Sequence, residues 1–155
     1  MTLRTGRTLE GAVMRRYLLV LGAAGVLISG YIHYYLYFYG GYRGIMPESF
    51  AGLTISRAFL INAIAGLVIA EMLVIAFVWD RLAVPVAMLG VGFAVSTLAA
   101  YVLTRTTGLL GFSDGKAITE AVIAGTAEIV ALTSLAVYVL GALRSRRTSV
   151  VQASS

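Results

Sequence analysis

The chain of 155 residues is 59% hydrophobic and only 12% charged, with a mean hydropathy of +0.90, which excludes an ordinary soluble domain. It contains no cysteine and a single histidine. Disulfides, thiolate metal sites, iron–sulfur clusters, a cysteine nucleophile and a His-rich metal site built by one copy are therefore excluded. The net charge of +5 does not point to nucleic acid, because the arginines gather at the chain ends and beside apolar runs, without a recognition motif.

A basic stretch over residues 1–16 comes first, and four apolar segments follow at about 17–39, 57–79, 82–103 and 117–143. Each is near the ~20 residues that cross a hydrocarbon core. A backbone in lipid must satisfy its own hydrogen bonds, and runs this long without period-two alternation favour helices over barrel strands. The sequence predicts an all-α integral membrane four-helix bundle, antiparallel and up-down-up-down, as a single domain over 17–143. Residues 144–155 form a tail that is basic and then polar; its end, "TSVVQASS", reads as disordered.

The first segment opens with "YLLVLGAAGVLISG", which resembles a signal-peptide core, but the apolar run continues beyond it and no A-x-A site follows, so the segment is expected to stay as a helix. It ends in "YIHYYLYFYGGYR", with six tyrosines and the only histidine. The tyrosines read mainly as an interfacial aromatic belt, and Tyr37, four residues after His33, shares the histidine's face.

The loop "GGYRGIMPESFAGLT" leads to the second segment, which contains Asn62 and Glu71. The link "WDRL" then forces a tight hairpin, with Pro85 expected in the first turn of the third helix. A second glycine-bearing loop, "RTTGLLGFSDGK", precedes the fourth segment with Glu120 and Glu128. Small residues recur at Gly22 to Gly25, Gly25 with Ser29, Gly66 with Ala70, and Gly90 with Gly92, a pattern of close helix packing.

Arg4, Arg7, Arg15, Arg16, Arg81, Arg144, Arg146 and Arg147 fall on one side of such a bundle, against Arg43, Arg57, Arg105 and Lys116 on the other. The positive-inside rule makes both termini cytoplasmic and the two longer loops external, in a multi-pass protein of the cell (inner) membrane.

Polar groups inside a span are costly and mark functional candidates. Counting the helical rise from the outer ends, His33 lies roughly 10 Å deep, Asn62 about 8 Å, Glu120 near 5 Å and Glu128 near 16 Å. All four sit under loops that carry Arg43, Arg57 and Arg105. The sequence thus places His33, Tyr37, Arg43, Arg57, Asn62, Arg105, Glu120 and Glu128 as candidates for an outward-facing ligand or proton pocket. The plainer reading has the arginines anchoring helix ends while the carboxyls snorkel, with Glu120 serving the N-terminal turn of its helix. Glu71, deeper toward the cytoplasm, reads as a packing residue or a partner contact.

No cofactor is assigned. Haem with two histidine ligands is ruled out within one copy, which leaves His–Met ligation or a haem shared across a dimer as the routes to a haem site. No phosphate loop, zinc-protease motif, nucleophile elbow or dinucleotide fingerprint occurs, so nothing marks an enzyme.

The run "HYYLYFYGGYRGIMP", with "RAFLINAIAG" and "TRTTGLLGF", resembles uncharacterised small four-helix integral membrane proteins of actinobacteria. His33, Tyr42, Arg43, Pro47, Gly108, Gly111 and Phe112 match its motif positions, and the resemblance implies the fold but no activity. Two functions are expected. One is a non-enzymatic accessory or scaffold subunit that meets the bilayer, other membrane subunits or a second copy. The other is a module binding a small molecule, a proton or a redox group such as haem or quinone through His33, Arg43 and Glu128.

Overall fold

Long runs of Leu, Ile, Val and Ala without turn residues have one economical way to pair their backbone in hydrocarbon, the α-helix. A computed structural model describes residues 3–45, 50–113 and 118–153. In them the chain forms α1 (Leu3–Phe38), α2 (Ile55–Val78), α3 (Asp80–Thr106) and α4 (Thr119–Ala153). Each contains a stretch long and apolar enough to cross a membrane: Val13–Phe38, Ile55–Val78, Asp80–Thr106 and Thr119–Ser145. Large side chains such as Leu27, Ile64, Leu89 and Ile129 stay exposed on all four. That surface suits lipid rather than water and defines a multi-pass α-helical membrane protein.

Two boundaries differ from expectation. The basic N-terminal stretch is helical from Leu3, and the polar C-terminal residues continue α4 to Ala153 instead of leaving it. Once a span has nucleated a helix, each added residue gains a hydrogen bond without a new nucleation cost. The α2–α3 link contracts to Trp79, whose N–H donates to the Ile75 carbonyl at 3.0 Å. Pro85 consequently lies in the second turn of α3, where its missing N–H deprives the Arg81 carbonyl of its helical donor near the helix end. Pro47, Lys116 and Ala117 lie outside the described residues.

α1 packs against α2 and α4, α3 packs against the same two, and α1 touches α3 only marginally across the diagonal. Near the loops His33 meets Phe59 and Ser29 meets Glu128; at the other end Arg16 covers Phe77 and Arg15 donates to the Gly141 carbonyl. α1 is therefore antiparallel to both neighbours.

The core is built largely from alanine: Ala63, Ala70, Ala76, Ala87, Ala94 and Ala131 are all buried. Small side chains let the backbones approach, and dispersion at short range replaces the hydrophobic drive that lipid removes. Leu135 of α4, fully buried, drives between α1 and α3, and a Cβ on either Gly22 or Gly90 would collide with its side chain. On the α1–α2 seam a Cβ on Gly66 would stand 2.8 Å from the Gly30 Cα. Most of the small residues expected to pack helices are thus used within the bundle. Gly92 is not; a Cβ there meets nothing within 4 Å.

The two loops contain the same device, at the end of the first and near the start of the second. Phe50 and Leu53 exchange backbone hydrogen bonds of 3.1 and 2.9 Å, and Leu109 and Phe112 exchange bonds of 2.8 and 2.9 Å. The central residues all have positive φ: Ala51 +50° and Gly52 +78° in one, Leu110 +52° and Gly111 +67° in the other. Positive φ at both central positions is the mark of a type I′ turn.

Candidate functional site

Between the helices, beneath these loops, lies a cavity of about 90 Å³. A single water needs about 10–15 Å³ measured this way, so the space admits several waters or a small organic group. His33 of α1, Asn62 of α2, Arg105 of α3 and Glu128 of α4 all line it. Each helix thus contributes one strongly polar side chain.

The floor is formed where α1 crosses α4. Glu128 is 2% exposed, nine positions into α4, about 14 Å below its start. The Ser29 hydroxyl, itself fully buried, donates to Glu128 Oε1 at 2.7 Å. The Thr97 hydroxyl of α3 is also within hydrogen-bonding reach of the Glu128 carboxyl. Ser29 stands one turn before His33, so both belong to one face of α1. His33 Nδ1 lies 2.9 Å from the Ser29 carbonyl and 3.4 Å from its hydroxyl oxygen. A carbonyl only accepts, so Nδ1 carries a proton, and in the neutral ring Nε2 is left as an acceptor. His33 thus donates to the Ser29 backbone carbonyl, while the Ser29 hydroxyl donates to Glu128.

Higher up, the guanidinium of Arg105 lies 4.9 Å over the Tyr101 ring in the last turns of α3. The roof is aromatic. The chain leaves α1 through Gly40 and Gly41, the latter at φ +82°, and the Tyr42 N–H donates back to the Leu36 carbonyl at 3.3 Å. This reversal sets the Tyr42 ring on Phe59, with centroids 4.3 Å apart and 23° between planes, and edge-on to Phe112 at 5.8 Å. Tyr42 and Phe112 come from different loops, so their contact ties the two loops together over the cavity.

The other sequence candidates lie elsewhere. Arg57 is exposed and donates through Nη1 to the Gly52 carbonyl at 2.6 Å, bracing its own turn. Arg43 is exposed, 6.0 Å from the Phe38 ring centre, and Tyr37 packs edge-on against that same ring. Glu120 sits half-buried in the first turn of α4, where a carboxyl meets the positive end of the helix, and does not line the cavity. In the sequence Ser29 marks only a packing position and Thr97 carries no signal, although a hydroxyl one turn before a membrane histidine points to Ser29.

Comparison with known protein families, with curated proteins and with solved structures finds no match.

Proposed function

We propose that this membrane protein binds a small, hydrogen-bonding molecule in the cavity under its loops. The observation that carries this reading is that His33, Asn62, Arg105 and Glu128, one from each helix, line the same space. Buried polar groups in a membrane protein are expensive and persist where they meet one another, water or a ligand. The site offers the Glu128 carboxyl and the Thr97 hydroxyl at its floor, an imidazole and an amide at mid-height, and a cation beneath an aromatic roof. A ligand matched to it is compact, with donors at one end for Glu128 and an anionic or acceptor group toward Arg105.

The arginine distribution supports a loop end facing outward, termini in the cytoplasm and an inner-membrane location. The resemblance to small four-helix membrane proteins of actinobacteria belongs to the same proposal.

Native mass spectrometry of the protein released from mild detergent tests it. Wild type is expected to carry a bound small molecule that is absent from Glu128→Leu and Asn62→Leu. Bare and identical spectra for all three, with unfolding temperatures showing all folded, would remove the reading.

A further inference from the structure

Glu71 lies away from that cavity, seven residues before the end of α2 and about 10 Å inside the span. Its side chain is exposed, directed out of the bundle. Beside it an apolar groove of about 470 Å³ runs between α1 and α2, with Leu19, Ala23 and Leu27 on one wall and Ala70, Leu73 and Phe77 on the other. Among the described residues, Glu71 is the only polar side chain in its lining. Arg16 marks the groove's end, its guanidinium 5.3 Å over the Phe77 ring. Among the described residues, no hydrogen bond or ion pair engages the Glu71 carboxyl.

A carboxyl facing hydrocarbon is costly unless something outside the chain meets it. A lipid tail fills an apolar groove but brings no donor to Glu71. A second copy packed about a two-fold axis through the groove sets Glu71 against Glu71, two like groups that repel when charged and pair only by sharing a proton. A helix carrying a cation supplies both the apolar ridge and the complementary charge. The groove spans positions 67 to 77 of α2, close to three helical turns, and alanines at 23, 24 and 70 allow near approach. We propose that this groove docks one transmembrane helix of another membrane protein, with a Lys or Arg of that helix seated on Glu71. The partner's basic residue lies about 10 Å inside the membrane on the side of Arg16 and Arg81.

The test uses the full chain in phosphatidylcholine vesicles, labelled at Trp79→Cys as the single cysteine. The probe is a fluorescent 24-residue Leu/Ala transmembrane peptide bearing one Lys seven residues from an end. Energy transfer should report association about 3- to 30-fold tighter than for the same peptide with Leu in place of Lys, the range for one polar contact in a membrane. Glu71→Leu should abolish that advantage, and Glu71→Asp should keep part of it. Because the side chain is exposed, Glu71→Leu leaves the packed core intact, and an unchanged unfolding temperature checks this. Equal binding of the two peptides, a Lys preference that survives in Glu71→Leu, or Glu71-dependent self-association of the protein would each overturn the proposal.

Discussion

Ser29 and Glu128 are joined by a 2.7 Å hydrogen bond between two side chains that are almost wholly withdrawn from the surface. The bond links α1 to α4 and sits at the floor of the cavity, so the same contact holds a seam and orients a carboxyl. In membranes such contacts contribute about 0.5–2 kcal/mol, because the unfolded chain in lipid finds alternative partners. Ser29→Ala is expected to destabilise the bundle by about 1 kcal/mol. In a double-mutant cycle with Glu128→Leu the losses should fall short of additivity by a similar amount, measured by unfolding in mixed detergent. Additive losses would mean that the two side chains do not interact energetically.

The α1–α2 seam depends on bare backbone at Gly30 and Gly66. Gly66→Val must push α2 away from α1, at a cost of about 1–3 kcal/mol. Gly92→Ala, where a methyl meets open space, should be neutral or slightly stabilising, since alanine favours a helix by up to about 1 kcal/mol over glycine. Unfolding temperatures of the two variants will separate a packing glycine from an incidental one.

Ala51 and Leu110 hold left-handed backbone at φ +50° and +52°, which costs a residue with a Cβ about 1–2 kcal/mol. Ala51→Asn should relieve part of that cost and raise stability by about 0.5–1 kcal/mol. Gly52→Val in the same turn should lower stability and loosen the loop. Amide exchange of the Phe50 and Leu53 N–H groups follows both effects directly.

The chain has no native cysteine, so single replacements report topology cleanly. Ser113→Cys, on the second long loop, should react with an impermeant maleimide in intact cells. Trp79→Cys, at the α2–α3 link, should react only after the membrane is opened. The reverse pattern would invert the proposed orientation and turn the cavity toward the cytoplasm.

Four helices and their spans were legible in the sequence because hydrocarbon admits so few backbone solutions. His33, Asn62 and Glu128 could be matched by depth alone, since the helical rise is constant. Azimuth was not legible. In water an apolar stripe tells which way a helix faces, but lipid and core are both apolar here, so the rotation of α4 that turns Glu128 inward and leaves Glu120 off the cavity wall left no stripe to read. Arg57, in the first turn of α2, and Arg43, in the loop before it, have long side chains that settle on local partners, a turn carbonyl and a phenyl ring, and their sequence positions do not predict this. Thr97 is small and uncharged, and it acquires importance only because α4 brings a carboxyl to it. The polar composition of the C-terminal residues does not reveal the helix that runs into them and carries α4 to Ala153.

The seam between α1 and α4 joins two spans separated in the chain by the whole of α2 and α3. Closure of the bundle must therefore wait until α4 has entered the bilayer, and during that interval Ser29 and Gly25 of α1 stand without their final neighbours. A product halted after α3 would expose both to lipid, to chaperones and to membrane proteases. The polar floor of the cavity is thus complete only once α4 has packed against α1.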